Sequence, residues 1–130
     1  MNPNDYRKNA DITDHKDYSP VTNRISGNEE LVKFTHFALG IGTEAGEIQD
    51  ILKKALVYGK TIDKTNLKEE IGDLLWYVDR LCKMNNWTLE EVMEMNINKL
   101  KVRYGDKFTE EAALNRNLEN ERKVLENKQE

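Results

Sequence analysis

The sequence predicts an all-α protein with a single domain. Apolar residues recur at helical spacing through most of residues 31–104, and no β-branched run alternates as a strand does. Proline occurs only 2 times in 130 residues, so few positions interrupt a helix. A chain of this length forms one core, and a hydrophobic content of 38% is low for a self-sufficient monomer. We therefore expect an all-α fold that completes its core by oligomerising.

Residues 1–27 are polar and contain the turn-forming pairs Ser19-Pro20 and Ser26-Gly27. This composition predicts an N-terminal arm rather than an independent unit. We expect the arm to pack through its few large apolar side chains, which are Tyr6, Ile12, Tyr18 and Val21.

The first long helix is expected to follow Asn28 as its N-cap and to end at Tyr58, before Gly59. Three glycines interrupt it, and each costs about 0.5–1 kcal/mol relative to alanine inside a helix. Such a cost indicates a kink or a close approach of another element. The glycines are Gly40, Gly42 and Gly46.

A second helix is predicted over about Leu67 to Met84, with Thr65 or Asn66 as its cap. A third helix should begin at a capping box, in which Thr88 is the N-cap and Glu91 the third helical residue. These helices complete a helical domain predicted over residues 28–108. Residues 109–130 are almost wholly polar, and we expect a helical C-terminal tail that frays at its end.

Two pairs of acids stand out because each has i, i+3 spacing on a predicted helix. Glu44 and Glu47 form the first pair, and Glu70 and Asp73 form the second. Such spacing places both carboxylates on one face, where like charges repel by a few tenths of a kcal/mol when exposed. Both pairs border apolar positions, so we expect them at the edge of the core, with Glu47 and Asp73 as interior members.

Carboxylates held near a core must be paired or coordinate a metal. Four oxygen donors without a neighbouring histidine or cysteine favour a hard cation, which points to Mg²⁺ or Mn²⁺. The alternative is a solvated acidic face, which is common in a chain that is 34% charged.

Cationic and polar side chains offer a second candidate group. Asn96, Lys99 and Arg103 share one stripe of the third helix, and Lys54 projects on the Glu47 side of the first. Arginine binds phosphate as a planar fork and lysine as a point charge. The simpler interpretation is ordinary surface, with Lys54 satisfying the helix dipole.

Trp76 and Tyr77 follow the second acid pair directly. They are expected as core or subunit-interface aromatics, or as a platform that stacks on a nucleotide base.

The same sequence argues against several other classes of function. A net charge of -4 with no dominant basic stripe excludes duplex nucleic acid as the expected partner. No apolar run approaches the length of a membrane span, and the N-terminus lacks a signal peptide's apolar region. Cys82 is the single cysteine and is expected to be a small buried hydrophobe. We therefore expect a cytoplasmic protein without a membrane partner.

These motifs together resemble the MazG-like nucleoside triphosphate pyrophosphohydrolases. The resemblance spans about Leu31 to Phe108 and rests on E-x-x-E, Lys53-Lys54, E-x-x-D and the Asn/Lys/Arg helix in this order. It implies a four-helix-bundle-like, all-α fold that assembles as a homodimer or homotetramer. It also implies Mg²⁺-dependent hydrolysis of a (d)NTP to (d)NMP and pyrophosphate, in nucleotide-pool housekeeping.

Residue by residue, the resemblance assigns the metal and catalytic role to Glu44, Glu47, Glu70 and Asp73. It places substrate-binding roles at or beside Lys54, Asn96, Lys99 and Arg103. Thr43 departs from the fuller family pattern E-E-x-x-E, which leaves open the number of metals and the carboxylate that deprotonates water. A catalytically silent helical oligomer, which binds nucleotide or a structural cation, is the alternative.

Overall fold

A computed structural model describes residues 1–126 and shows helices without a strand in that part of the chain. The all-α prediction is therefore confirmed. The end of the predicted tail, residues 127–130, lies outside the described residues. In chain order the helices are α1 (Pro3–Thr13), α2 (Ser19–Ile25), α3 (Glu29–Tyr58), α4 (Lys64–Met84), α5 (Leu89–Tyr104), α6 (Glu110–Leu114) and α7 (Leu118–Leu125).

The described chain divides into two compact units, Met1–His36 and the residues from Phe37 onward. In the first unit, the side chain of Asn2 caps α1 by accepting hydrogen bonds from two backbone N–H groups. The expectation that the apolar side chains of the arm are packed is wrong at three of the four positions. Val21 is half-buried, whereas the exposed ones are Tyr6, Ile12 and Tyr18.

Helices α3 and α4 begin at side-chain caps, which are an asparagine and an aspartate. Asn28 Oδ1 accepts a hydrogen bond from the backbone N–H of Leu31 at 2.9 Å, which confirms the predicted start of α3. The predicted start of α4 is wrong, because Asp63 is the cap. Its Oδ1 accepts from the backbone N–H groups of Thr65 and Asn66, at 3.0 and 3.1 Å. One carboxylate therefore satisfies two N–H groups of the first turn, and the Asn66 side chain is not used as a cap.

The third long helix, α5, begins at the capping box that the sequence predicts. Thr88 Oγ1 accepts from the backbone N–H of Glu91 at 3.1 Å, and Glu91 Oε2 accepts from the backbone N–H of Thr88 at 2.6 Å. Gly105 follows the last turn at φ 62°, a left-handed conformation that favours glycine.

Helices α3 and α4 approach each other closely at Gly40. The ring of Tyr77 lies where a β-carbon at this position would clash, so only glycine allows the observed packing. Next to it the Trp76 ring meets Phe37 and Tyr77 edge-on, with centroid distances of 6.2 and 4.9 Å. Of the three glycines singled out in α3, Gly40 shows the close approach. The positions of Gly42 and Gly46 face open space.

The C-terminal helix α7 packs against α5 through an ion-pair network around the buried Glu121. Arg103 donates from Nε and Nη2 to the two carboxylate oxygens of Glu121, at 2.8 and 2.6 Å. Arg116 donates to the same oxygens at 3.3 and 2.7 Å. Glu121 is only 3% exposed, and hydrogen bonds from the two arginines lower its pKa to about 2. These contacts with α5 therefore hold the part of the tail that forms α7. Fraying was expected only at the end of the tail.

Large apolar side chains are poorly covered in the single chain. Among the described residues the buried apolar side chains are Ile51 and Cys82, which confirms the expected burial of the cysteine. Several large side chains of α3 and α4 are exposed, which are Leu39, Leu52, Leu56, Val57, Ile71, Leu75 and Trp76. No helix within residues 1–126 is long and apolar enough to cross a membrane.

Replacing Glu121 with glutamine tests the ion-pair network. Two guanidinium groups then lose their carboxylate, so we expect the Tm at pH 7 to fall by about 10 °C. Because the folded-state pKa of Glu121 is lowered to about 2 from 4.5, its stabilising effect is present above pH 4.5. That effect is lost as the pH falls through the folded-state pKa.

Thermal unfolding of both proteins as the pH is lowered from neutral should therefore give melting temperatures that converge in acid. Glu119→Gln is the matched control, since Glu119 lies on the same helix with a side chain that is 82% exposed. A difference between Glu121→Gln and wild type that stays constant into strong acid would contradict this account.

Candidate metal centre

Three glutamates from two helices converge to form the acid cluster, which consists of Glu44, Glu47 and Glu70. One carboxylate oxygen from each residue lies within 4.8 Å of the others. Glu44 and Glu47 stand one turn apart on α3, and Glu70 reaches them from α4. The Gly40–Tyr77 contact lies one turn before the α3 pair and brings the same two helices together. The spacing on each helix, together with this packing, creates the cluster.

The carboxylates of the site differ in their exposure to solvent. Glu70 is buried at 6% exposure and Glu44 is half-buried. Glu47 and Asp73 are exposed in the single chain, so the expectation that these two are interior is wrong. The buried member of the second pair is Glu70, because it lies on the side of α4 that faces α3. The site is thus open to solvent on its Glu47 side.

Desolvation and repulsion between carboxylates both act on Glu44 in this site. The pKa of Glu44 is raised, first by desolvation and then by the charges of Glu47, Asp73 and Glu70. Asp73 lies outside the group of converging oxygens, yet it adds to this negative potential. A raised carboxylate pKa means that the ionised form is disfavoured until a cation neutralises it. The donor set consists of carboxylate oxygens alone, which fits a hard divalent cation such as Mg²⁺ or Mn²⁺.

Lys54 is tied to the same face of α3 through an acid that sequence reasoning overlooked. Its Nζ lies 2.6 Å from Asp50 Oδ2, and Asp50 also pairs with Lys53 at 3.1 Å. The pKa of Lys54 is raised, chiefly by its hydrogen bond to Asp50 and less by the charge of Glu47. The signal for Asp50 was available, since it follows Glu47 by three residues and precedes Lys54 by four.

The remaining predicted substrate residues are distributed over α4 and α5. Asn96 is exposed, Lys99 is half-buried, and Arg103 is engaged by Glu121. Trp76 is 50% exposed, with the Arg80 guanidinium 5.6 Å from its ring centroid. Their contacts with substrate stay predictions.

The acid cluster can be tested by thermal stability, without a measurement of catalysis. In Glu47→Gln the shape is kept and one charge is removed, so the metal-free Tm should stay level or rise as repulsion is relieved. The increase in Tm on adding Mg²⁺ should shrink, because a ligand stabilises in proportion to its binding. Thermal melts with and without Mg²⁺ measure both effects.

The matched control is Glu90→Gln, at an exposed helical glutamate on α5. It should leave both melting temperatures unchanged. A Glu47→Gln protein that unfolds without metal would show instead that this acid supports the fold.

Comparison with known proteins agrees with the geometry. Residues 34–108 match the family model described as the MazG nucleotide pyrophosphohydrolase domain, and this range includes all four acids. The Gene 37 protein of Mycobacterium phage L5 is 33% identical over 79 residues, which cover 58% of this chain and 69% of the phage protein. No solved structure gives a significant match. The chain therefore belongs to the MazG nucleotide pyrophosphohydrolase family.

Proposed function

We propose that this protein is a Mg²⁺-dependent nucleotide pyrophosphohydrolase that cleaves a (d)NTP to (d)NMP and pyrophosphate. The observation that carries the proposal is the convergence of Glu44, Glu47 and Glu70 from two helices within 4.8 Å. The family match supports the reaction class. The biological role that we propose for this reaction is nucleotide-pool housekeeping.

The acid cluster, with Asp73 beside it, would hold Mg²⁺ or Mn²⁺. A bound divalent ion supplies charge neutralisation at the phosphates and lowers the pKa of a coordinated water. A carboxylate of this group accepts the proton of the attacking water. The water oxygen forms a new P–O bond as the anhydride P–O bond between the α- and β-phosphates breaks, so that the nucleoside monophosphate and pyrophosphate are the two products.

The cationic residues would orient the phosphates. Lys54 is favourably placed, because Asp50 holds its ammonium group on the side of α3 that carries Glu47. Lys99 and Arg103 would bind pyrophosphate oxygens, with Asn96 as a neutral donor. Glu121 fixes the Arg103 guanidinium through Nε and Nη2, which orients its plane before substrate binds.

The aromatic pair would contribute to binding of the base. Tyr77 packs against Gly40, so its position is set by the contact between α3 and α4. Trp76 is half exposed and presents more surface on which a base could stack.

We also propose that the active form is a homodimer or homotetramer. Exposed apolar side chains on α3 and α4 include Leu56 at 88% and Leu39 at 66% exposure. Contiguous apolar patches of several hundred Å² are rare on stable monomers. Sedimentation velocity at micromolar concentration should therefore show a dimer or tetramer, and a stable monomer would contradict this assembly.

Pyrophosphate release from a panel of nucleoside triphosphates, with and without Mg²⁺, tests the proposed reaction directly. We expect release to require the metal and to fall by at least about 100-fold in Glu70→Gln. Glu90→Gln, on the solvent side of α5, should retain wild-type turnover. Failure to release pyrophosphate from any nucleotide at any divalent metal would overturn the proposal.

The second candidate function is a catalytically silent module that binds nucleotide or a structural cation. The observation in its favour is Thr43, whose hydroxyl donates to the Gly40 carbonyl at 2.8 Å and thus is occupied within its own helix. The fuller family pattern, E-E-x-x-E, often has a glutamate here, and this chain has one acid fewer than that pattern. Calorimetric titration with nucleotide, combined with the pyrophosphate-release assay, separates the two functions. Nucleotide binding without pyrophosphate release would favour the silent module.

A further inference from the structure

Asn66 lies beside the acid cluster and donates a hydrogen bond from Nδ2 to Oε1 of Glu70, one turn later on α4. Asn66 is half-buried and Glu70 is 6% exposed, so the bond is partly shielded from water. A hydrogen bond to a buried charged group is worth more than one at the surface. Asn66 is therefore a specific partner of the most buried acid of the site.

The backbone of Asn66 is fixed independently of this bond. Its N–H donates to Asp63 Oδ1 at 3.1 Å, and the same oxygen accepts from Thr65 at 3.0 Å. Asn66 thus belongs to the capped first turn of α4, which is the part of a helix that frays when no cap is present. Its amide reaches Glu70 from an anchored position.

Fixing one oxygen of Glu70 restricts rotation of the carboxylate. Glu70 faces Glu44 and Glu47 across the gap between the helices, with ligand oxygens within 4.8 Å. Without a donor, repulsion from these two acids would turn the Glu70 carboxylate away from them. A carboxylate that is held by a hydrogen bond presents a constant face to a cation, as partners of metal ligands commonly ensure.

An amide is chemically suited to this task. It donates to the carboxylate without carrying charge, so it neither competes with the cation, as lysine would, nor adds repulsion, as aspartate would. It also keeps the same protonation state at any physiological pH.

We propose that Asn66 is a positioning residue that orients Glu70 for binding a divalent cation. This inference rests on the metal site of the proposed function. Asn66 acts in this role through its hydrogen bond to Glu70.

Calorimetric titration of the full-length, metal-free protein with Mn²⁺ alone tests the proposal. Asn66→Leu removes the donor at nearly constant size, and we expect its Mn²⁺ affinity to fall by roughly 10-fold or more. Asn66→Gln keeps an amide on a longer arm and should recover part of the loss. Asn23→Leu, at an exposed position of α2, is the matched control and should bind as wild type does.

A purely structural role would give the opposite pattern, with a lower metal-free Tm and an unchanged Mn²⁺ affinity. That result for Asn66→Leu, or for Asn66→Ala if the leucine variant does not fold, would overturn the proposal. Absence of Mn²⁺ binding by the wild-type protein would overturn it as well.

Failure of the proposed reaction can be distinguished from failure of this inference. A wild-type protein that binds Mn²⁺ but releases no pyrophosphate refutes the reaction. The affinity ratio between wild type and Asn66→Leu still decides the role of Asn66 in that case.

Discussion

Repulsion among the carboxylates of Glu44, Glu47 and Glu70 is the constraint on which the candidate site depends. These acids lie within 4.8 Å of one another, although each would be less costly alone in water. The packing of α3 on α4 holds them together, with Tyr77 against Gly40 one turn before the first acid. A cation that binds between them would relieve the repulsion.

Two glutamates of this chain show how surroundings decide the role of a carboxylate. Glu121 accepts hydrogen bonds from Arg103 and Arg116, and its pKa is lowered to about 2. Glu44 lies among other acids, and its pKa is raised by desolvation and by their charges. The first environment is satisfied by the protein alone and ties α7 to α5. The second contains no cationic partner among these acids, so a proton or a bound cation would relieve it, and such perturbed carboxylates are typical of functional sites.

Much of this site could be predicted from local sequence, because helical periodicity determines which side chains share a face. The i, i+3 acid pairs and the capping box at Thr88 and Glu91 depend on neighbours within one turn, and the structure confirms the box and the alignment of Glu44 with Glu47. The exposure of Glu47 and Asp73 was predicted wrongly, because periodicity gives a face but not how closely another helix covers it.

Contacts between distant parts of the chain could not be predicted from helical periodicity. Arg103 and Glu121 are 18 residues apart, and no local pattern distinguishes Glu121 from the other acids of the polar tail. The cap at Asp63 was missed for a different reason. Asp63, Thr65 and Asn66 are all good capping residues, and only the backbone geometry decides among them.

The most direct test of the metal site is a crystal structure of the protein soaked with Mn²⁺, with anomalous scattering used to locate the ion. We expect at least one anomalous peak coordinated by oxygens of Glu44, Glu47 and Glu70, at about 2.0–2.3 Å. Glu70 should keep its hydrogen bond from Asn66 in that structure. Mn²⁺ bound elsewhere, with the three carboxylates still without a metal at saturating concentration, would contradict this expectation.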